Sequence, residues 1–222
     1  MVKRRIATST VKFKSGAVDA YKIAISFKRD YLDAYYNMGI AYGTLEEAGV
    51  DVLDNALGAL KQSIRLNSAF IHGYIALGAA YIRNEDYKSA LDVLRQAILI
   101  DSKNPNAHYY IGVACRATKE FEKAAIALST SVLLKPDSLQ IQYFLGLVLI
   151  DCEKFQSACD AFNEAVRIKP DFAKGHFMLG YIYLESLSDI EKGTYHLNKA
   201  EKLYIKLEDF DRLDRVRAML AK

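Results

Sequence analysis

Cysteine and proline are scarce in this sequence of 222 residues, which contains three of each. The cysteines, Cys115, Cys152 and Cys159, are odd in number and show no Cys-x-x-Cys spacing, which argues against a disulfide framework and a zinc site. A reducing compartment is the simpler interpretation, so we expect a cytoplasmic protein. With 51% of residues apolar and 26% charged, neither a disordered nor a fibrous chain fits.

Long apolar runs are missing as well. No stretch approaches the roughly 18 apolar residues of a membrane-spanning helix. The first residues carry positive charge, but no apolar core of about seven residues follows, so they make a poor secretory signal. Residues 1–31 hold eight Lys or Arg against two Asp, which leaves the remainder slightly negative. This basic segment is either a solvated terminus or a contact for an acidic partner or a membrane surface.

Motifs of catalysis are also lacking. The sequence has no Gly-rich phosphate loop after a strand, no Gly-x-Ser-x-Gly and no His-Glu-x-x-His. We therefore predict a protein that is not an enzyme, with no catalytic residue, no metal site and no cofactor.

A regular repeat is the main feature that is present. An apolar residue followed by Gly recurs at Met38-Gly39, Leu77-Gly78, Ile111-Gly112, Leu145-Gly146 and Leu179-Gly180. The last four pairs are 34 residues apart, and the longer first interval indicates an insertion of five residues at Glu46–Val50. Small residues keep step with these glycines at Ala90, Ala97, Ala124, Ser131, Ala158 and Ala165, with Leu94, Leu128 and Phe162 between them.

This pattern resembles the tetratricopeptide repeat, in which each unit is an antiparallel pair of helices A and B. The resemblance implies an all-α fold, a right-handed superhelical solenoid of helix pairs with a C-terminal capping helix. Gly and Ala at fixed positions allow the paired helices to approach closely, and the large residues fill the space beside them. The closing prolines, Pro136 and Pro170, end helix B in two units.

The chain divides on this pattern into three parts. Residues 1–31 form a basic segment with a half repeat, residues 32–207 form five units, and residues 208–222 form the capping helix. The five units are predicted at 32–70, 71–104, 105–138, 139–172 and 173–207, the last with a one-residue insertion before Gly193.

Both ends of the predicted array depart from the regular repeat. The half repeat has a degenerate helix A in residues 1–13 and leaves an apolar flank, through which self-association is predicted. A stripe at helical spacing marks the capping helix, which is alternatively a detachable partner-binding helix. The stripe consists of Leu203, Leu207, Phe210, Leu213, Val216 and Leu220.

The resemblance also implies a binding site, because ligand segments lie on the concave face that helix A lines in this family. Here the fifth, sixth and ninth positions of helix A are apolar or aromatic, a composition that suits an apolar or amphipathic segment of a partner protein. The alternative is that the chain's own terminus or a second copy fills this face. The predicted partner-binding residues are Tyr36, Ile40, Ile75, Tyr109, Tyr110, Val113, Tyr143, Phe144, Leu147, Phe177, Met178 and Tyr181.

Polar residues of helix A lead to two further expectations. The Lys and paired Asn of the family's carboxylate clamp are absent, so the sequence departs from the variant that binds chaperone C-termini, and Arg83, Arg116 and Lys174 remain as polar anchors. His108 and His176 share the fourth position of their units, which we interpret as a packing position rather than a metal site.

These observations favour a non-catalytic scaffold or adaptor for protein–protein interaction. The alternative is a chaperone that shields a secreted or membrane-associated client. Nucleic-acid binding is not expected, since the near-neutral body lacks the required positive charge. Membrane contact is expected only through a partner or the basic N-terminus. The run Val18–Lys22, followed by Tyr35-Tyr36 and Gly39-Ile40, is similar to the start of one bacterial scaffold of this family.

Overall fold

The computed structural model describes residues 16–46 and 52–221, which are entirely helical apart from turns. The predicted helix A of the half repeat, in residues 1–13, lies outside this range, as does most of the predicted insertion. The helices are α1 (residues 16–27), α2 (Leu32–Glu46), α3 (Leu53–Leu66), α4 (Ile71–Arg83), α5 (Tyr87–Ile100), α6 (Pro105–Ala117), α7 (Phe121–Leu134), α8 (Leu139–Asp151), α9 (Phe155–Ile168), α10 (Ala173–Glu185), α11 (Ile190–Lys206) and α12 (Phe210–Leu220).

The helices follow the period of the sequence. The helices α4, α6, α8 and α10 all contain 13 residues, whereas α5, α7 and α9 contain 14. We call α2, α4, α6, α8 and α10 the A helices, and α3, α5, α7, α9 and α11 the B helices. Short turns join consecutive helices, which therefore run antiparallel.

The chain forms two compact units, residues 1–114 and 115–222. In the first unit α2 packs on α3, α3 on α4 and α4 on α5. In the second unit α7 packs on α8, α8 on α9, α9 on α10, α10 on α11 and α11 on α12. Each unit thus contains A and B helices packed in chain order, and the all-α repeat fold is confirmed. The exact limits of the five predicted repeats stay a prediction.

Glycine in the A helices α4, α8 and α10 creates the space for a large residue of the paired B helix. A Cβ atom on Gly78 would lie 2.6 Å from Cγ of Leu94, and one on Gly146 would lie 2.6 Å from the ring of Phe162. Gly180 has the same relation to Leu197. Because real Cβ atoms do not approach other heavy atoms so closely, only glycine lets these helices pack at this distance.

The small residues of the B helices are equally buried. Ala90, Ala124 and Ala158 are fully inaccessible to solvent, and so are Ala97, Ser131 and Ala165. The residues between them, Leu94, Leu128 and Phe162, are inaccessible as well. The small residues that recur at a constant distance from the glycines are therefore core residues.

The turns after the A helices α4, α6 and α8 each have a left-handed residue that is not glycine. The φ angle is 58° at Glu85, 62° at Lys119 and 57° at Glu153, which are 34 residues apart. In the fifth pair the corresponding residue is Ser188, with φ of 54°, one residue later than the period requires. The one-residue insertion predicted before Gly193 thus lies in this turn, which is longer than the turn between α8 and α9.

Each end of the array is closed by an additional helix. Val18 of α1 is buried with Tyr42, Leu45 and Ala56 of the first pair. At the other end, Leu213 and Val216 of α12 are buried against Ala200 and Tyr204 of α11.

The predicted apolar stripe at the C-terminal end is wrong at two positions. Leu207 is 62% exposed and Phe210 is 64% exposed. The reason is that α11 ends at Lys206 and that Glu208 adopts φ of 54°, so the stripe is broken between two helices.

We predict that Gly78→Ala lowers the free energy of unfolding by about 1–3 kcal/mol, because its methyl group overlaps the side chain of Leu94 in a packed interior. Denaturant titration followed by circular dichroism measures the change. Gly58→Ala is the matched control, since Gly58 is exposed on α3 and a Cβ there would have no neighbour within 4 Å. It should raise stability by up to about 1 kcal/mol through helix propensity. Equal effects of both substitutions would contradict the packing role of Gly78.

Candidate functional site

In the first unit, the A helices α2, α4 and α6 border a pocket of about 310 Å³. Six of the residues that line it occupy the fifth, sixth and ninth positions of the A helices, which were predicted to face a ligand. Its lining residues are Tyr36, Ile40, His72, Ile75, Ala76, Ala79, Arg83, Asn104, Asn106 and Tyr110. Four of the predicted partner-binding residues, Tyr36, Ile40, Ile75 and Tyr110, are thus brought together here.

The ring of Tyr36 is fixed by the residue that begins the next A helix. Phe70 precedes α4 and packs edge-to-face on Tyr36, with ring centroids 5.2 Å apart and an interplanar angle of 89°. Gly73 makes this possible, because a Cβ atom on it would lie 3.0 Å from the Phe70 ring. The Tyr36 ring therefore borders the pocket in one preferred orientation.

Two of the predicted partner-binding residues of the first unit are buried, so they offer little surface to a ligand. Tyr109 is 6% exposed and Ile75 is 9% exposed. The Tyr109 ring packs against that of Tyr110 with centroids 5.0 Å apart, so it supports the ring that reaches the pocket. Val113 is partly buried and does not line the pocket.

In the second unit, helices α8, α10, α11 and α12 border a pocket of about 210 Å³. We call it the C-terminal pocket. It is lined by Tyr143, Lys174, Phe177, Met178, Tyr204, Arg212 and Arg215. Three of these, Tyr143, Phe177 and Met178, are predicted partner-binding residues. The other predicted partner-binding residues of this unit, Phe144, Leu147 and Tyr181, do not line the pocket. Phe144 and Leu147 are partly buried, and Tyr181 is 39% exposed.

The ring of Tyr143 is held by a set of aromatic contacts. Its centroid lies 5.2 Å from that of Phe172, 5.7 Å from that of Phe162 and 6.2 Å from that of Phe144. Burial raises the pKa of the Tyr143 phenol, and the nearby Arg212 opposes that effect. The hydroxyl therefore stays protonated near neutral pH and can donate a hydrogen bond into the C-terminal pocket.

Sequence reasoning missed three residues of the C-terminal pocket, namely Tyr204, Arg212 and Arg215. They belong to α11 and α12, whereas the predicted site was confined to the A helices. The spacing of three residues between the two arginines on one helix, away from the buried Leu213 and Val216, is the signal that could have revealed them.

The three predicted polar anchors have different environments. Arg116 forms an ion pair with Asp151, with its Nε atom 2.5 Å from Oδ2. The guanidinium group of Arg83 lies against Gly43, in space that a side chain there would fill. Lys174 lines the C-terminal pocket and has no hydrogen bond or ion pair with another described residue. Lys174 is therefore the anchor that is open to a ligand.

The fourth position of the A helices has a repeated structural role. Tyr74, His108, Gln142 and His176 each hydrogen-bond, at 2.9–3.2 Å, to the backbone carbonyl six residues earlier. These carbonyls belong to the turn between successive helix pairs, so the side chains fix that turn. His108 and His176 therefore contribute to holding these turns. Within residues 16–46 and 52–221, no three His, Cys, Asp or Glu residues are grouped to hold a metal ion.

His176 and His196 form a pair that the sequence did not reveal. Their rings are stacked with centroids 5.2 Å apart, and their Nδ1 atoms are separated by 3.0 Å. His176 Nε2 donates to the carbonyl of Pro170, so its Nδ1 accepts a hydrogen bond from His196 Nδ1. Burial lowers the pKa of both rings, that of His196 to about 4, with His176 as a second cause.

The cysteines are free thiols. Cys115 and Cys159 are buried, whereas Cys152 is partly buried. Burial raises the pKa of Cys159 to about 11, so this thiol is protonated and unreactive near neutral pH. Among the described helices, none has the length and apolar character needed to cross a membrane.

Comparison with known proteins identifies the repeat. Two tetratricopeptide-repeat family models match the sequence, one at residues 81–147 and the other at residues 139–172. Residues 81–172 of this chain are therefore tetratricopeptide repeats. No curated protein sequence matches it significantly.

The fold of this chain is similar to that of several solved structures. A crystal structure of MamA is 23% identical over 71% of this chain and 91% of that chain, with a TM-score of 0.66. MamA from Desulfovibrio magneticus RS-1, residues 41 to the end, is 22% identical over 79% and 96%, with a TM-score of 0.68. YrrB, described as a tetratricopeptide-repeat protein with an unusual peptide-binding site, is 22% identical over 84% and 93%, with a TM-score of 0.65.

The run at residues 18–40 led us to expect a likeness to MamA, and the comparison shows that the fold is MamA-like. At these identities the structural likeness shows a shared fold alone, and the candidate site depends on the residues described above.

The histidine pair predicts a dependence of stability on pH. As the pH falls through about 6.5, the unfolded chain binds protons that the folded His196 accepts only near pH 4. The contribution of the neutral His196 to the free energy of unfolding is therefore complete above about pH 7 and is lost as the pH falls from about 6.5 to 4. We expect His196→Gln to reduce the loss between about pH 7.5 and 5.5 by about 1 kcal/mol, measured by denaturant titration at both pH values. An unchanged pH dependence in this variant would show that the pair does not titrate as described.

Proposed function

We propose that this repeat protein is a non-catalytic scaffold or adaptor, which binds an apolar or amphipathic segment of a partner protein on its A helices. The observation that carries the proposal is the accessibility of the aromatic residues on these helices. Tyr36 and Tyr110 border one pocket, and Tyr143 and Phe177 border another, and all four are only partly buried. The name helix-A surface is used below for the accessible predicted residues of the A helices in either unit.

The aromatic rings of the helix-A surface are suited to binding because they are held in place before a ligand arrives. Tyr36 is fixed by Phe70, and Tyr143 is fixed by Phe172 and Phe162. Large rings with little rotational freedom lose little conformational entropy on binding, and tyrosine adds a hydrogen-bonding group. The peptide-binding site described for YrrB supports the same class of ligand, an extended or helical protein segment.

The apolar character of the helix-A surface also suits a chaperone for one client protein. The two functions differ in what is purified with the protein. A chaperone forms a complex of fixed stoichiometry with one unstable client, whereas a scaffold forms a larger assembly with several components. Mass measurement of the purified complex distinguishes them.

The proposal includes self-association through the half repeat. Phe27 at the end of α1 is 87% exposed, Ile23 is 59% exposed and Tyr31 is 40% exposed. Ile23 and Phe27 are four residues apart on α1 and thus lie on one face of that helix, and a second copy of the chain is the occupant that we propose.

We predict that the double substitution Tyr110→Ala and Phe144→Ala abolishes retention of the partner in affinity capture followed by mass spectrometry. Loss of two central aromatic residues weakens binding by about thirtyfold or more, the effect of a hot-spot residue. The control is Leu99→Ala with Leu133→Ala, which removes two exposed leucines from the B helices α5 and α7. Identical partners for all three proteins, with the aromatic variant still folded by circular dichroism, would exclude the helix-A surface as the binding site.

We predict that Ile23→Lys combined with Phe27→Lys converts the self-associated protein to a monomer in sedimentation equilibrium, because two buried charges would oppose the contact. Both side chains are exposed in the single chain, so the variant should fold. A wild-type protein that is monomeric at all accessible concentrations, or a variant of unchanged mass, would contradict self-association through α1.

A further inference from the structure

The C-terminal pocket differs from the rest of the helix-A surface in its charge. Three of its lining residues are cations, Lys174 on α10 and Arg212 and Arg215 on α12, and none is a carboxylate. The chain beyond residue 31 is net negative, so the cations are concentrated here against the general trend. A cavity with one sign of charge attracts a ligand group of the opposite sign.

Most of the positive charge in this pocket is not neutralised by ion pairs within the protein. Among the described residues, Lys174 and Arg215 have no ion pair or hydrogen bond. Arg212 pairs through one guanidinium nitrogen with Asp209. By contrast, Arg217 on another face of α12 forms an ion pair with Glu201, with its Nε atom 2.8 Å from Oε1.

The placement of Arg212 is also unfavourable for the helix alone. It lies in the first turn of α12, where the helix dipole disfavours a positive charge. A local conflict of this kind is more often retained for binding than for stability.

A buried hydroxyl in the same pocket has no partner. Tyr204 is only 2% exposed and lines the pocket, yet no described residue accepts or donates a hydrogen bond at its phenol. Its high pKa of about 12, caused by burial, keeps the hydroxyl protonated and able to donate. Buried polar groups are nearly always hydrogen-bonded, so an unpartnered one beside three cations indicates a ligand that accepts hydrogen bonds.

We infer that the C-terminal pocket binds a carboxylate of the partner segment, with Lys174, Arg212, Arg215 and the hydroxyl of Tyr204 as its ligands. The inference rests on the proposed function, because Tyr143, Phe177 and Met178 of the same pocket belong to the helix-A surface. The partner segment is thus apolar along its length and acidic at the residue that enters this pocket. The carboxylate belongs either to an Asp or Glu side chain or to the C-terminus of the partner.

The size and surroundings of the pocket favour a peptide over other anions. Its volume of about 210 Å³ is below the roughly 300 Å³ at which pockets for small molecules begin. It accommodates one or two residues of a longer segment. A nucleic acid would need positive charge along an extended surface, whereas the chain beyond residue 31 is net negative.

The experiment that tests this inference is selection of binders from a phage-displayed library of randomised dodecapeptides. The wild-type protein should enrich peptides in which Asp or Glu adjoins apolar residues. The variant Lys174→Gln with Arg215→Gln should lose that enrichment, and it should bind the wild-type peptides about tenfold to a hundredfold more weakly by isothermal titration. It removes two charges that have no partner in the fold, so folding should be retained.

The matched control removes one charge from α11 and one from α12, at residues that do not line the pocket. Lys202→Gln with Arg217→Gln should select and bind the same peptides as the wild type. A synthetic peptide with its acidic residue changed to the amide should lose affinity for the wild type and the control, but not for the Lys174→Gln, Arg215→Gln variant. Free and amidated C-termini of that peptide show whether the carboxylate is terminal or on a side chain.

Three outcomes would overturn the inference. Selected peptides without acidic residues that still require Tyr110 and Phe144 would leave the proposed function intact and remove the carboxylate site. Failure to select any peptide would count against the proposed function as well. Binding of a single-stranded oligonucleotide that is lost in the Lys174→Gln, Arg215→Gln variant would assign the pocket to nucleic acid instead of a peptide.

Discussion

The contact between a glycine of an A helix and a large residue of its B helix, seen in α4, α8 and α10, is the constraint on which the structure depends. At Gly78, Gly146 and Gly180 a single methyl group would collide with the opposing side chain. This contact sets the distance between the helices of a pair, and the buried alanines of the B helices set the distance to the next pair. Because each pair needs only its neighbours, the same solution is repeated along the chain.

The same packing decides which residues are left for binding. The B helices place their small and large residues in the core, so their aromatic content is low and their exposed leucines are scattered. The A helices bury their glycine side and leave the sixth and ninth positions, and the fifth position of α2, α8 and α10, at least partly accessible. Aromatic side chains at these positions serve two purposes, since Tyr109 supports Tyr110 and Tyr143 packs on Phe172 while it borders a pocket. Structure and recognition are thus built from one set of residues.

Most of the fold could be predicted because the repeat encodes it in short-range spacing. The glycines, the alanines and the fourth-position residues each showed their role through recurrence every 34 residues. The features that could not be predicted have no recurrence. The pair of His176 and His196 joins an A helix to a B helix over 20 residues, and the arginines of the C-terminal pocket come from a capping helix that has no counterpart elsewhere in the chain. The break at Glu208 was missed because the apolar spacing continues across a left-handed residue.

The central claim is that partners bind the A helices and not the B helices. Site-specific photo-crosslinking tests it most directly, with benzoylphenylalanine placed at Tyr110 or Tyr181 on the A helices and at Leu99 or Leu133 on the B helices. The account predicts crosslinks to a partner from the two A-helix positions alone. Crosslinks from Leu99 or Leu133, with none from Tyr110 or Tyr181, would contradict it.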